Sequence, residues 1–464
     1  MRFTIISHAC LLIEHADKKL LIDPWLSGSC YWRSWWHFPP AHNIDGILEE
    51  IDFIYLTHEH FDHFHYPSMR RFPKDIPIYV ADFPTKGMVS GLESLGFKHI
   101  YPLAHGETTN LAADLQLTSY QSRWLDDSAL VVEGGETTLF DLNDGKFPDG
   151  VLRKLAQKHG GIDFMFKSHS SAQAYPHRYS SSVPKDLSYR PKESYVQEFL
   201  HTAQALETAY AIPFASNVCF LHPETFDQNA HIMNPASIEN FYDESVHQFN
   251  LEVMLPGDSW SEEEGFYIQA TDVFAQQETL LSTMREEVAS KVAAQSEYEK
   301  NKALDFDTFK NYFEDFLKSL PMPLSFLFRV KTAYAIPGEQ ESWWVLDFSK
   351  RCVTQHDEKP TDVVSISSVE PGLLQDAIEK TIVNLLEISM RVRVEISPGK
   401  VFQHFIAREL LAMYEQGNFP LEKNMQVHFV RAWLRRRDEL LAYGVQVLKK
   451  GKKGFLPGAK DSVN

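Results

Sequence analysis

The stretch Thr57-His58-Glu59-His60-Phe61-Asp62-His63 follows an apolar run, Ile51-Asp52-Phe53-Ile54-Tyr55-Leu56, which is rich in β-branched and aromatic residues and reads as a strand. Three imidazoles and two carboxylates therefore collect just past a strand's C-terminal end, where α/β folds carry their ligand sites. Neutral imidazole and carboxylate suit zinc, iron or manganese, and ligands in an open loop can converge on an ion without straining a helix. His58 and His60 are two apart and project to one side of an extended chain. Asp62 and His63 follow the turn and can reach a second ion roughly 3.5–4 Å from the first, as in two-metal sites.

Upstream, His8-Ala9-Cys10-Leu11-Leu12-Ile13 and Lys19-Leu20-Leu21-Ile22-Asp23-Pro24 read as a hairpin turning near Ala16-Asp17-Lys18. His8 lies in the right element to face the metal loop, though a core or ligand-orienting role suits it better than ligation. Asp23 is placed to orient an imidazole rather than to bind an ion.

The two signatures together, His58-x-His60-x-Asp62-His63 after an apolar strand and the hairpin before it, resemble the metallo-β-lactamase fold superfamily. That resemblance implies an α/β fold, an αββα sandwich with a metal site at the sheet edge. The hairpin, continued by Trp25-Leu26, is similar to the branch that holds ascorbate-phosphate lactonases and N-acyl-phosphatidylethanolamine phospholipase D. Leu142-Asn143-Asp144, Ser171-Ala172-Gln173-Ala174-Tyr175-Pro176, Cys219-Phe220-Leu221-His222-Pro223 and Leu255-Pro256-Gly257-Asp258 resemble the metallo-β-lactamase-like part of CMP-N-acetylneuraminate hydroxylases over roughly the first 260 residues. Those hydroxylases also carry an N-terminal Rieske iron–sulfur domain. This chain begins at the hairpin and has four scattered cysteines, Cys10, Cys30, Cys219 and Cys352, which supply no such cluster, so sialate hydroxylation is not carried over.

The resemblance implies further site residues. Asp144 resembles the carboxylate that bridges two metals and offsets their repulsion. His222, and alternatively His169, stands at a strand tip as the late ligand of the second ion. Where many superfamily members place a third-motif histidine, the chain reads Gln121-Ser122-Arg123-Trp124-Leu125-Asp126-Asp127-Ser128. Either Asp126 or Asp127 replaces the imidazole, or the first ion has fewer protein ligands; an oxygen-richer set shifts preference from zinc toward iron or manganese. Arg123 could fork onto an anionic substrate group or form a structural ion pair. Tyr175, in an aromatic loop, is a candidate proton donor, and Asp62 is a catalytic candidate as well as a ligand. The aromatic segment from Trp25 to Pro40 lacks a period and reads as irregular. Trp32 and Trp35 in it line a substrate pocket or pack on a second domain.

A chain of 464 residues exceeds the usual single core. The expected division is a catalytic domain over 1–265, a helical segment over 266–320, a C-terminal α+β domain over 321–450 and a tail over 451–464. Helical spacing of Leu280, Leu281, Met284 and Val288, then of Phe309, Tyr312, Phe313 and Phe316, supports the middle segment, and Pro321-Met322-Pro323 marks a linker. Strands are expected near 325–330, 343–348, 363–366 and 390–395, with helices over 372–386, 402–414 and 427–441, in an order weakly similar to sterol-carrier-type domains.

With 45 basic against 63 acidic residues the net charge is −18, which disfavours nucleic acid and anionic membrane and leaves a small molecule as the expected partner. No apolar window reaches the length of a membrane span, and the unpaired cysteines suit a cytoplasmic protein. The first functional reading is a mono- or dinuclear hydrolase acting on an ester, lactone, amide, thioester or phosphodiester. The alternatives are a nonhaem di-iron oxygenase with an external redox partner and a non-catalytic binder of apolar ligands.

Overall fold

The computed structural model describes residues 1–122, 127–171, 173–187, 191–269, 273–338, 341–420, 422, 427–437, 439–442 and 444. Arg123 and Asp126 lie outside the described residues.

Alternating apolar residues make two facing sheets. In the first, Leu11 and Ile13 point one way and Leu12 the other, as the two-residue period of a strand requires. Its eight strands run in the order Gly265–Tyr267, Ser259–Ser261, Arg2–Ile5, Leu11–His15, Lys18–Ile22, Phe53–Leu56, Pro77–Ala81, His99–Leu103. The second sheet has seven: Asn250–Leu251, Tyr210–Phe214, Phe164–Ser168, Thr137–Asn143, Asp127–Gly134, Leu115–Ser122, Glu107–Ala112. Phe3, Leu11, Ile22 and Tyr55 of the first meet Leu117, Val132, Phe166 and Ile212 of the second in one buried core. The outer face of the first sheet is covered by Phe64, Met88 and Leu92, and that of the second by Leu152, Leu155, Phe199 and Leu200 of the helices Asp149–Lys158 and Glu193–Leu206. The architecture is the αββα sandwich.

Both sheets deliver their site loops from strand C-terminal ends. Lys18–Ile22 and Phe53–Leu56 are parallel, so Asp23 and Thr57 emerge side by side. The Thr137–Asn143 strand ends opposite them.

The aromatic segment is more regular than its composition suggests. Ser29–Cys30 and Trp35–His37 pair with each other, and Trp35–His37 also pairs with Val218–Phe220. The strand expected near 325–330 is replaced by a helix, Met322–Leu327, with the next strand at Lys331–Ile336. Proline in its first turn presets helical φ, which outweighs the apolar run that follows.

The third sheet orders Tyr179–Ser181, Val392–Ile396, Ser365–Val369, Lys331–Ile336, Ser342–Asp347 and Cys352–His356. Its first strand comes from the early chain, and Trp25, Tyr31, Trp35 and Tyr175 share a buried cluster with Phe313, Leu373 and Phe405. One buried arginine ties these parts together. Arg391 donates both terminal nitrogens to Glu299 at 2.7 Å, reaches Glu224 at 3.2 Å, and is 1% exposed at its side chain. Beside it, the helix Pro371–Glu379 packs so closely that a Cβ at Gly372 would come within 1.8 Å of the Glu299 carbonyl oxygen. Among the described residues, no helix is long and apolar enough to cross a membrane.

Two stability predictions follow from this junction. Arg391→Ala leaves Glu299 buried without its cation and should lower unfolding free energy by about 3–5 kcal/mol in denaturant titration. Gly372→Ala forces a backbone contact apart and should cost about 1–3 kcal/mol or more; an unchanged midpoint for either variant contradicts the packing described.

Candidate metal centre

Asp23 sets the geometry. Its Oδ1 accepts from the Thr57 backbone N–H at 2.8 Å, and its Oδ2 accepts from Thr57 Oγ1 at 2.6 Å, His63 Nδ1 at 2.8 Å and Asn143 Nδ2 at 2.8 Å. A fully buried carboxylate with four donors is well satisfied, and it fixes the His63 ring so that Nε2 faces away from it.

That Nε2 is the telling atom. It is buried, 3.2 Å from Asp62 Oδ2 and 3.7 Å from Asp144 Oδ2, yet it makes no well-aligned hydrogen bond. An imidazole oriented from behind, with its other nitrogen turned toward carboxylates, is the arrangement of a histidine prepared for a cation. The residues present therefore fit a metal ion.

Two donor groups adjoin here. His8, Asp62 and His63 form a buried one, and His58, His60 and Asp144 a second that is only partly buried; within each, ligand atoms lie within 4.8 Å of one another. The groups touch, since the His58 and His63 rings are 4.1 Å apart between centroids and Asp144 faces His63. His58 Nε2 is 2.8 Å from His60 Nδ1, while its Nδ1 lies 2.9 Å from Thr57 Oγ1 and 3.5 Å from Asp127 Oδ1. Asp127 thus stands behind His58 much as Asp23 stands behind His63.

Charge is finely balanced in the buried group. Burial opposes ionisation of Asp62, but His63 and His8 outweigh it and hold the carboxyl well below its usual range. Burial likewise opposes a charged His63, but Asp62 and Asp23 outweigh it and hold the imidazole well above its usual range. A bound cation would supply positive charge to Asp62 in place of that proton. Nearby, burial and then the Asp23 charge push Asp141 well above the usual carboxylate range.

The other sequence-selected residues lie as follows. His222 is buried, accepts from the Glu224 backbone N–H at 3.3 Å and belongs to neither group; burial, then the Arg391 cation, pushes it down to about 4. His169 is also in neither group, with Nε2 3.2 Å from the Met233 carbonyl oxygen, and burial pushes it down to about 4. Tyr175 is buried edge-on to Tyr179 and Phe405. Trp32 donates to Asp376 at 2.8 Å and Trp35 to the Ile388 carbonyl at 2.8 Å, both toward the C-terminal part. Tyr31, not singled out from sequence, donates from its hydroxyl to Asp62 Oδ1. His8 joins Asp62 through Nε2 at 3.2 Å; its place just before the Leu11–His15 strand was the available signal.

A family model described as the beta-lactamase superfamily domain matches residues 18–212. A Mycobacterium tuberculosis protein, whose name assigns it provisionally to the Rieske 2Fe-2S iron-sulfur proteins, is 32% identical over 250 residues, 51% of this chain and 48% of that one. The cytidine monophosphate-N-acetylneuraminic acid hydroxylase of Danio rerio is 39% identical over 236 residues, 47% of this chain and 39% of that one. The chain thus spans about half, or less, of the length of these curated relatives. Among solved structures, an isothiocyanate hydrolase from Delia radicum gut bacteria aligns over 56% of this chain and 99% of its own at 18% identity, with a TM-score of 0.41. Residues 18–212 of this chain are a metallo-β-lactamase superfamily domain.

Proposed function

We propose that the chain is a dinuclear metalloenzyme that carries out oxidative chemistry on a small molecule. The superfamily has enzyme members, which supports catalysis at that level. The observation that carries the reading is the pair of adjoining donor groups, with the buried His63 Nε2 turned toward carboxylates of both. In this reading His58, His60 and Asp144 would hold one ion and His8, Asp62 and His63 the other, with Asp144 facing His63 of the second group. Bound ions would supply activation of dioxygen or water at a site shaped by the chain.

The chain's own residues do the positioning. Asp23 and Asp127 orient the imidazoles of His63 and His58 from behind, so each presents one defined nitrogen. His8, Asp62 and His63 are buried and exclude bulk water from one side, while His60 and Asp144 are partly exposed and mark where a substrate reaches the centre.

Oxidation is favoured over hydrolysis by two things. Carboxylates in both groups make a harder donor set than an all-imidazole one, which suits iron or manganese. A relative is named a hydroxylase, and another is named for an iron–sulfur cluster. Hydroxylation by dioxygen puts one oxygen atom into the product and the other into water, and it consumes two electrons and two protons. An iron–sulfur protein is the class of partner that would deliver those electrons. The second reading, hydrolysis, draws on the same adjoining groups opening toward solvent through His60 and Asp144, since activating water there needs no electron donor.

Metal analysis of protein purified without added metal, combined with oxygen uptake in the presence of a reduced iron–sulfur donor, tests the assignment. Iron near two equivalents with donor-dependent oxygen uptake is expected; zinc or manganese with oxygen-independent turnover favours hydrolysis instead. The double variant His58→Ala/His60→Ala should lose about one equivalent of metal and fall in oxygen uptake by roughly 10²-fold or more, in line with the cost of misplaced catalytic groups. Full metal content in that variant contradicts the ligand set.

A further inference from the structure

We infer that Tyr31 is a positioning residue for Asp62, held in place by the C-terminal part of the chain through Trp32 and Asp376; the inference rests on the metal-centre reading above. The two oxygens of Asp62 have separate partners. Oδ2 faces His8 Nε2 and His63 Nε2, each at 3.2 Å, whereas Oδ1 accepts from the Tyr31 hydroxyl. A carboxylate pinned at one oxygen offers a cation the other oxygen alone. Without that hydroxyl, Asp62 is free to turn about its last bond.

What places Tyr31 there is an unusual turn. Tyr31, Trp32 and Arg33 have φ of 52°, 54° and 64°, three consecutive residues with side chains in the left-handed region. Left-handed backbone is unfavourable for residues that carry a Cβ, so such a run persists only when its surroundings dictate it. Trp36 Nε1 donates to the Arg33 carbonyl at 2.9 Å within the segment. The Ser34 N–H donates to the Tyr31 carbonyl at 3.1 Å and the Tyr31 ring stacks on Phe61, and further ties come from the C-terminal part. Trp32 Nε1 donates to Asp376 Oδ2 at 2.8 Å, Arg391 reaches the Trp32 carbonyl at 3.4 Å, and Trp35 Nε1 donates to the Ile388 carbonyl at 2.8 Å. Asp376 is itself buried and fixed by Tyr298 and Lys302, each at 2.9 Å or less. A continuous line of contacts thus runs from the helix Pro371–Glu379 to the buried donor group. Among the described residues the C-terminal part contributes to neither donor group, yet it reaches the segment that carries Tyr31.

Cobalt(II) titration of the metal-free full-length chain against a competing chelator tests this, with the visible d–d spectrum recorded at each step. The wild type is expected to take up two equivalents. Tyr31→Phe keeps the ring and removes the donor; it should weaken one equivalent by about 10–100-fold, alter that equivalent's d–d bands and leave the other unchanged. Trp32→Phe should weaken the same equivalent by less. Thermal midpoints of the metal-free variants report on folding separately. Two equivalents bound by Tyr31→Phe as in the wild type would overturn the inference, as would equal weakening of both together with a lowered midpoint, which is general loosening. A wild type that binds no cobalt defeats the metal-centre reading itself, and that outcome is distinct from either.

Discussion

The carboxylate of Asp23 is the constraint on which the site depends. It leaves the end of one strand, accepts from Thr57 at the end of the neighbouring parallel strand, and reaches across to Asn143 at the end of a strand in the facing sheet. By doing so it joins both sheets at the rim of the sandwich and turns the His63 ring. A charge buried this deeply is stable only while its donors stay in place, so the loops that supply the site are held by the same bonds that satisfy Asp23. Tyr55 adds a second brace below, bonded to Ser119 and Ser128, with Ser128 donating to the Thr57 carbonyl at 2.6 Å.

From that rim the site divides by solvent. His8, Asp62 and His63 lie in the protein interior, where opposite charges compensate one another, and His60 and Asp144 lie toward the surface. The buried half is enclosed further by the segment of Tyr31, Trp32 and Trp35, whose polar atoms bond to the C-terminal part. The strand Tyr179–Ser181, contributed by the early chain to the third sheet, adds a second connection between these parts. The candidate metal centre and the C-terminal part are thus linked by hydrogen bonds, by a shared sheet and by the buried Arg391 cluster.

Much of the candidate site was legible in the sequence because most of its potential donors are local. His58, His60, Asp62 and His63 fall within six residues, and the strand before them needs only a short apolar run to be recognised. The sandwich was expected through the resemblance carried by this motif and the hairpin before it, because its central strands are buried on both faces and read as continuous apolar runs rather than as an alternation. His8 was harder. It lies 54 residues from Asp62, and its approach depends on strand pairing that no local pattern specifies. For His169 and His222 the signal was position after a strand, which does not say which way a loop turns; His222 turns toward Glu224 and Arg391. Tyr31 could not be picked out from the aromatic segment, because what sets it apart is a hydrogen bond to Asp62 reached through a left-handed turn that no local pattern specifies. The apolar run after Pro321 misled for a simpler reason, in that two prolines started a helix where composition favoured a strand.

Anomalous X-ray scattering from crystals of the chain loaded with manganese tests the central claim most directly. The account predicts two anomalous peaks, one against His58, His60 and Asp144 and the other against His8, Asp62 and His63. Anomalous density absent from both groups, or present only at other residues, would contradict it.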